Sequence, residues 1–182
     1  SEKAIEVLSA SIESFREQGD AFFNADQYTE AISMYSEIIR LSPNDAHAYY
    51  SRGFTYRYLD RFNDAISDQT EAIQIDPDFA DAYGERGQCY KELDQDDNAI
   101  SDFTKFIQLN PENPYAYSGR GAYYEELGKF DNAISDFTKA IQLKHDNVIA
   151  YWFRGVSYQG LNQHERAIED FDKAIELDPN YA

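Results

Sequence analysis

The sequence has little from which to build a covalent or metal cross-link: one cysteine, Cys89, and three histidines, His47, His145 and His164. A single cysteine excludes an intramolecular disulfide and favours a reducing, cytoplasmic setting. The histidines and Cys89 share no metal-ligand spacing, so neither a metal centre nor a histidine-based catalytic pair is expected. Cationic residues are scarce as well, 16 Lys and Arg against 34 Asp and Glu, for a net charge of -18. So acidic a surface repels phosphate backbones and anionic headgroups, which argues against nucleic acid and membrane partners. No run approaches the ~20 apolar residues of a spanning helix, and the first residues lack the basic-then-apolar layout of a secretion signal. The Gly-x-Gly at Gly119 and Gly121 follows no strand-like run and makes no phosphate loop. Adjacent acids such as Asp96-Asp97 and Glu125-Glu126 read as solvated faces rather than as an acid–base dyad. No catalytic residue, cofactor or metal is expected, and the chain is not read as an enzyme.

What the sequence has is aromatic and periodic. It carries 15 Tyr and 12 Phe, and 42% of its residues are hydrophobic, the composition of an ordered protein. At this length a chain buries roughly 70% of its unfolded surface. Glycines fall at Gly19, Gly53, Gly87, Gly121 and Gly155, each 34 residues after the last. The same step links Ala31, Ala65, Ala99, Ala133 and Ala167, and also Phe22, Tyr56, Tyr90, Tyr124 and Tyr158. Three columns with one period mark an array of a single supersecondary unit. Five units follow, 12–45, 46–79, 80–113, 114–147 and 148–181, whose positions are numbered 1 to 34 below.

Within a unit, Tyr49, Gly53 and Tyr56 fall at helical spacing over Ala46 to Leu59, and Asp60 offers a stop that tolerates a left-handed backbone. The pattern resumes at Asn63, runs through Ala65, Ile66, Gln69, Ala72, Ile73 and Ile75, and closes at Asp76-Pro77. Two helices of about 14 residues are marginal alone, so each must bury its apolar stripe against neighbours. Glycine inside a helix costs about 1 kcal/mol relative to alanine; close approach of the two helices explains its recurrence at position 8 opposite alanine at position 20.

These columns resemble the tetratricopeptide repeat family, whose unit reads W-x2-L-G-x2-Y…A-x3-F…P. The resemblance covers residues 12–181. Position 4 reads Phe15, Tyr49, Tyr83, Tyr117 and Tyr151, and position 24 reads Tyr35, Gln69, Phe103, Phe137 and Phe171. Departures are Gln69, His145 where the other units have proline at position 32, and Asp96 where position 17 otherwise carries Tyr28, Phe62, Phe130 or His164. The resemblance implies an all-α, right-handed superhelical solenoid of antiparallel helix-turn-helix repeats that binds other polypeptides. Residues 1–11 do not continue the phase and are expected to extend the first helix through Ala4, Ile5 and Leu8. No polar capping helix is written after repeat five, so the array is expected either to belong to a longer protein or to cover that end by self-association.

Position 7 is Arg52, Arg86, Arg120 and Arg154 in repeats two to five, and position 23 is Asp68, Asp102, Asp136 and Asp170; in repeat one both change, to Gln18 and Met34. Joint presence and joint loss suggest a structural ion pair inside each hairpin, with drift among copied repeats as the alternative. At about 100° per residue, positions 2, 5, 6, 9, 12 and 13 share the face of the first helix opposite its core stripe. The resemblance implies that these faces stack into a concave groove that takes a peptide. Across it, Glu13, Glu17, Asp20, Asp81, Glu85, Glu92, Glu125 and Glu126 outnumber Arg16, Arg57 and Lys91. A neutral or basic ligand with apolar anchors is therefore expected. The candidate anchors are Tyr50, Phe54, Arg57 and Tyr58 in repeat two, Lys91 in repeat three, Tyr115 in repeat four, and Trp152 and Phe153 in repeat five. The alternative for each ring is that it packs on the next helix and completes the core.

One branch of the family clamps the C-terminal carboxylate of chaperones with Lys and Asn at positions 5 and 9, Asn at position 6 of the next unit, and Lys and Arg at positions 2 and 6 of the third. Here positions 5 and 9 read Arg16/Asp20, Tyr50/Phe54, Gly84/Gln88, Ser118/Ala122 and Trp152/Val156, so that clamp is not expected. The leading expectation is a non-catalytic interaction scaffold. The alternatives are a homo-oligomerising module acting through repeat five, and a regulatory array whose catalytic domain lies outside these residues.

Overall fold

The computed structural model describes residues 2–180, and among these there are ten α-helices and no strand. In chain order they are α1 (Glu2–Asn24), α2 (Tyr28–Leu41), α3 (Ala46–Tyr58), α4 (Phe62–Ile75), α5 (Ala80–Glu92), α6 (Asp96–Leu109), α7 (Pro114–Glu126), α8 (Phe130–Leu143), α9 (Val148–Gly160) and α10 (His164–Leu177).

The turns inside the hairpins share one device. Asp26, Asp60, Asp94 and Asn162 have φ between 54° and 59°, and Gly128 has φ 68°, all at position 15. This left-handed residue ends each first helix, and Asp, Asn and Gly are the types that tolerate it. Between hairpins the side chains of Asp45, Asn113 and Asn147 cap α3, α7 and α9 by accepting backbone N–H bonds from Ala48, Tyr115 and Ala150. His145, which replaces proline, does no damage: α8 ends at Leu143, Lys144 is extended, and Asn147 still caps α9. Asp96 likewise opens α6, where an acid suits the positive end of the helix.

The glycine at position 8 earns its place by proximity. A Cβ on Gly19 would lie 2.7 Å from Tyr35 Cε1, and one on Gly155 2.7 Å from Phe171 Cε1. The ring at position 24 thus rests on the backbone of its partner helix, and Tyr35 and Phe137 are buried there. Gln69 holds the same place in repeat two. It is fully buried, its Nε2 donates to the Tyr50 carbonyl at 3.2 Å, and its Oε1 has no hydrogen-bond partner.

The chain divides into two compact units, Ser1–Asp102 and Phe103–Ala182. In the first, α1 packs on α2, α2 on α3, α3 on α4 and α4 on α5, around Ala31, Tyr35, Ile38 and Ala48. In the second, α7 packs on α8, α8 on α9 and α9 on α10, around Ala133, Phe137, Ala140, Ile141 and Ala150.

Candidate functional site

What aims the first helices is a recurring polar joint. Arg52 grips Asp68 with two bonds, Nε to Oδ2 and Nη2 to Oδ1, both 2.8 Å. Arg86 grips Asp102, Arg120 grips Asp136 and Arg154 grips Asp170 in the same fork-to-fork way, at 2.7–2.9 Å. Pairing, not drift, accounts for the matched columns. Repeat one lacks it: Gln18 turns to Ser14 instead. The third guanidinium nitrogen reaches outside the hairpin. Nη1 of Arg52, Arg86, Arg120 and Arg154 donates to the hydroxyl of Ser36, Thr70, Thr104 and Thr138, on the second helix of the preceding hairpin. Each arginine therefore ties three helices together, and it lies near the tyrosine rings of its own helix, as Arg52 does with Tyr49 and Tyr56 at 5.7 and 5.9 Å. The hydroxyl partner was not foreseen; its signal was the run of Ser or Thr at position 25.

In the first unit the candidate rings of α3 meet one another and their neighbours. Tyr50 and Phe54 stack at 6.0 Å, and Phe54 and Tyr58 touch at 5.2 Å. Phe23 from α1 contacts Phe54 at 5.4 Å and Tyr58 at 5.1 Å, edge-on in the second case. Tyr28 adds a contact to Tyr58 at 5.5 Å, and Phe79, just before α5, one to Tyr50 at 4.9 Å. The result is an aromatic run across repeats one and two that is only partly covered: Tyr50 and Phe54 are half-buried, and Tyr58 is 47% exposed. Phe23, Tyr28 and Phe79 were not among the expected anchors, although Phe23 lies on the groove face by its position.

Arg57 is already engaged. Its Nε donates to Glu85 of α5 at 2.8 Å, and its guanidinium lies 5.2 Å from the Phe54 ring and 5.1 Å from that of Tyr58. Burial raises the Glu85 carboxyl above the usual range, outweighing the nearby Arg57. Burial, then Glu85 and Asp81, hold the Tyr50 phenol well above its ordinary value. Burial and then Glu85 push the Cys89 thiol up to about 12, so Cys89 is a buried filler rather than a nucleophile. Lys91 is half-buried on α5. Beside the rings, between α1 and α3, opens a cavity of about 280 Å3 whose lining includes Asp20, Phe23, Asn24, Tyr50, Ser51 and Phe54.

In the second unit the three candidate rings go to three partners. Tyr115 is 60% exposed, and its hydroxyl accepts a bond from Lys144 Nζ at 2.8 Å. Trp152 is half-buried against Phe171 at 5.0 Å, inside its own hairpin. Phe153 stacks on Phe137 at 6.0 Å and packs against the core cluster, so here the core-completing alternative describes the ring.

Profiles of the tetratricopeptide repeat match residues 46–79 and 80–113, and again 114–147 and 150–181; a TPR repeat profile matches 19–57. The chain belongs to the tetratricopeptide repeat family. The solved structure of a MamA protein is 27% identical, with a TM-score of 0.84 over 94% of this chain and 93% of that one. MamA 41-end from Desulfovibrio magneticus RS-1 superposes with a TM-score of 0.85 at 19% identity, over 94% of this chain and 97% of that one. YrrB, described as a TPR protein with an unusual peptide-binding site, gives 0.78 at 22% identity, covering 96% of this chain and 93% of its own. The last two likenesses bear on the tetratricopeptide solenoid fold alone. Among curated proteins, Hsp70-Hsp90 organizing protein 3 of Arabidopsis thaliana is 46% identical over 41 residues, which is 22% of this tetratricopeptide array and 7% of that protein. Among the described residues no tetratricopeptide helix is long and apolar enough to cross a membrane.

Proposed function

We propose that this array is a non-catalytic scaffold that holds a peptide or helix of a partner protein against the faces of its first helices. One observation carries the reading: the run Phe23, Tyr50, Phe54 and Tyr58, joined ring to ring yet left partly open beside a cavity. Aromatic side chains that are pre-packed and partly solvated give up little entropy on binding and supply the anchors on which interface affinity concentrates. Tyr50, Phe54, Arg57 and Tyr58, with Lys91, form the primary site. Tyr115 and Trp152 contribute a second set, with exposed Tyr115 its leading contact, and Phe153 backs them from the core cluster. The partner is neutral or basic with apolar anchors, since acids outnumber bases on these faces and Arg57 is neutralised by Glu85. It is not the acidic C-terminus of a chaperone, because Tyr50/Phe54, Gly84/Gln88 and Ser118/Ala122 stand where a carboxylate clamp needs Lys and Asn. The MamA and YrrB folds and the match to a chaperone-organizing protein are consistent with a protein ligand.

The test is a peptide-display selection on the whole chain, followed by titration of the selected peptides. Tyr50→Ala should weaken binding by about 1–3 kcal/mol with the helical signal unchanged. Equal affinity for wild type and for Tyr50→Ala/Trp152→Ala would remove the site from these faces.

A second reading has its own observation. Ile141 of α8 is 7% exposed under α9, whereas Ile175, its counterpart on α10, is 44% exposed and Ile168 is 58% exposed. An apolar strip of this kind suits a second copy. Solution mass at several concentrations tests it: a constant monomer mass would end the self-association reading.

A further inference from the structure

The cavity between α1 and α3 is unbalanced in charge. Its lining holds one carboxylate, Asp20, and no cationic side chain. Asp20 accepts the Tyr35 hydroxyl on Oδ1 at 2.7 Å and, among the described residues, pairs with no cation. Arg16, one turn back on α1, is engaged elsewhere, donating to Asp45 at 2.7 Å, and Arg57, on the same helix as Tyr50, donates to Glu85 at 2.8 Å. Phe23, Tyr50 and Phe54 bring aromatic rings to the lining, and Asn24 and Ser51 bring further acceptors.

Resting on the interaction reading above, we propose that this cavity is the subsite for one arginine side chain of the bound peptide. The aliphatic stem lies against the rings, whose electron-rich faces also attract a cation. The planar guanidinium presents five N–H donors, which suits the second oxygen of Asp20 together with the Asn24 carbonyl and the Ser51 hydroxyl. A leucine or norleucine would fill the same volume but leave those acceptors unmatched, and an acidic side chain would face Asp20 directly. The groove thereby selects by charge at one point and by apolar contact along the rest, a division of labour that exposed charges alone would not give.

The probes are N-acetyl-L-argininamide and its neutral near-isostere N-acetyl-L-citrullinamide, titrated into the whole chain and read from backbone amide shifts. The arginine compound should give saturable shifts at Asp20, Phe23, Asn24 and Ser51, about threefold to fivefold stronger in affinity than the citrulline compound, as suits an ion pair to the exposed Asp20, and weakened by salt. D20N should abolish that preference; its side-chain carbonyl can still accept the Tyr35 hydroxyl, so a spectrum unchanged elsewhere certifies the fold. Equal shifts from both compounds, shifts that survive D20N, or shifts confined to other helices overturn the proposal. The two readings fail separately. A display-selected peptide whose affinity is indifferent to an arginine-to-citrulline exchange sinks the subsite and leaves the scaffold, whereas a saturable argininamide site with no peptide binding to these faces does the reverse.

Discussion

Removing one end of the Arg120–Asp136 pair perturbs the joint that recurs in every hairpin from repeat two onward. The two side chains are 17% and 7% exposed and share two bonds of 2.8 Å, and Arg120 donates a third to Thr104 at 2.8 Å. Exposed pairs are worth about 0–1 kcal/mol, whereas stripping one partner from a fully buried pair costs about 3–5 kcal/mol. With a partly accessible arginine and a nearly enclosed aspartate, Arg120→Ala and Asp136→Ala should each cost about 2–4 kcal/mol. The Asp136→Ala variant leaves a guanidinium half-desolvated among tyrosines, and Arg120→Ala leaves a carboxylate without its donors. Once one partner is gone the second loss is small, so the double variant should resemble the worse single one, with a coupling energy of about 1.5–3 kcal/mol. Urea unfolding followed by circular dichroism measures it, fitted with a nearest-neighbour model because repeat arrays do not unfold as one two-state unit. Strict additivity, with a coupling below about 0.5 kcal/mol, would show that the bonds contribute nothing as a pair.

Gln69→Phe should raise stability by about 1–2 kcal/mol, seen as a higher melting temperature, because it removes a buried acceptor with no partner and restores the ring found at this position elsewhere; a lower melting temperature would mean that Gly53 and its neighbours cannot admit the ring. Cys89, with its thiol at about 12, should resist iodoacetamide at pH 8 until the chain is unfolded, as read by mass spectrometry; rapid native labelling would contradict its burial. Glu85 has its folded value raised above the unfolded one, so its contribution to stability is complete below the ordinary glutamate range and is lost as pH rises through the folded value. Glu85→Gln should therefore flatten the gain in stability between pH 7 and 4, and superimposable pH profiles would refute the assignment.

The repeat architecture was legible because it rests on residues with narrow conformational or steric requirements. Asp60 could be placed in a left-handed turn, and Gly53 against a partner helix, from residue type and period alone. The Arg and Asp columns were legible because the two charges appear together in repeats two to five and are lost together, to Gln18 and Met34, in repeat one. The binding surface was less legible. Face geometry put Tyr50, Phe54 and Phe153 on one side of their helices, but a helical wheel does not say how far the next hairpin reaches across that side. The structure shows Phe153 lying on Phe137 while Tyr50 and Phe54 keep a half-open cavity. Arg57 likewise looked available until its partner Glu85, 28 residues away, came into contact with it. Aromatic neighbours such as Phe79 lie in loops whose direction depends on tertiary packing rather than on periodicity.

The central claim is that the first-helix faces, led by the ring cluster of repeats one and two, are where a polypeptide ligand sits. Backbone amide shift mapping of a display-selected peptide on the isotopically labelled chain tests it most directly. The account predicts saturable shifts centred on Phe23, Asn24, Tyr50, Ser51, Phe54 and Tyr58, with a second set near Tyr115 and Trp152. Shifts centred instead on the second helices, around Ile66 and Thr70 of α4 or Ile134 and Thr138 of α8, would contradict it.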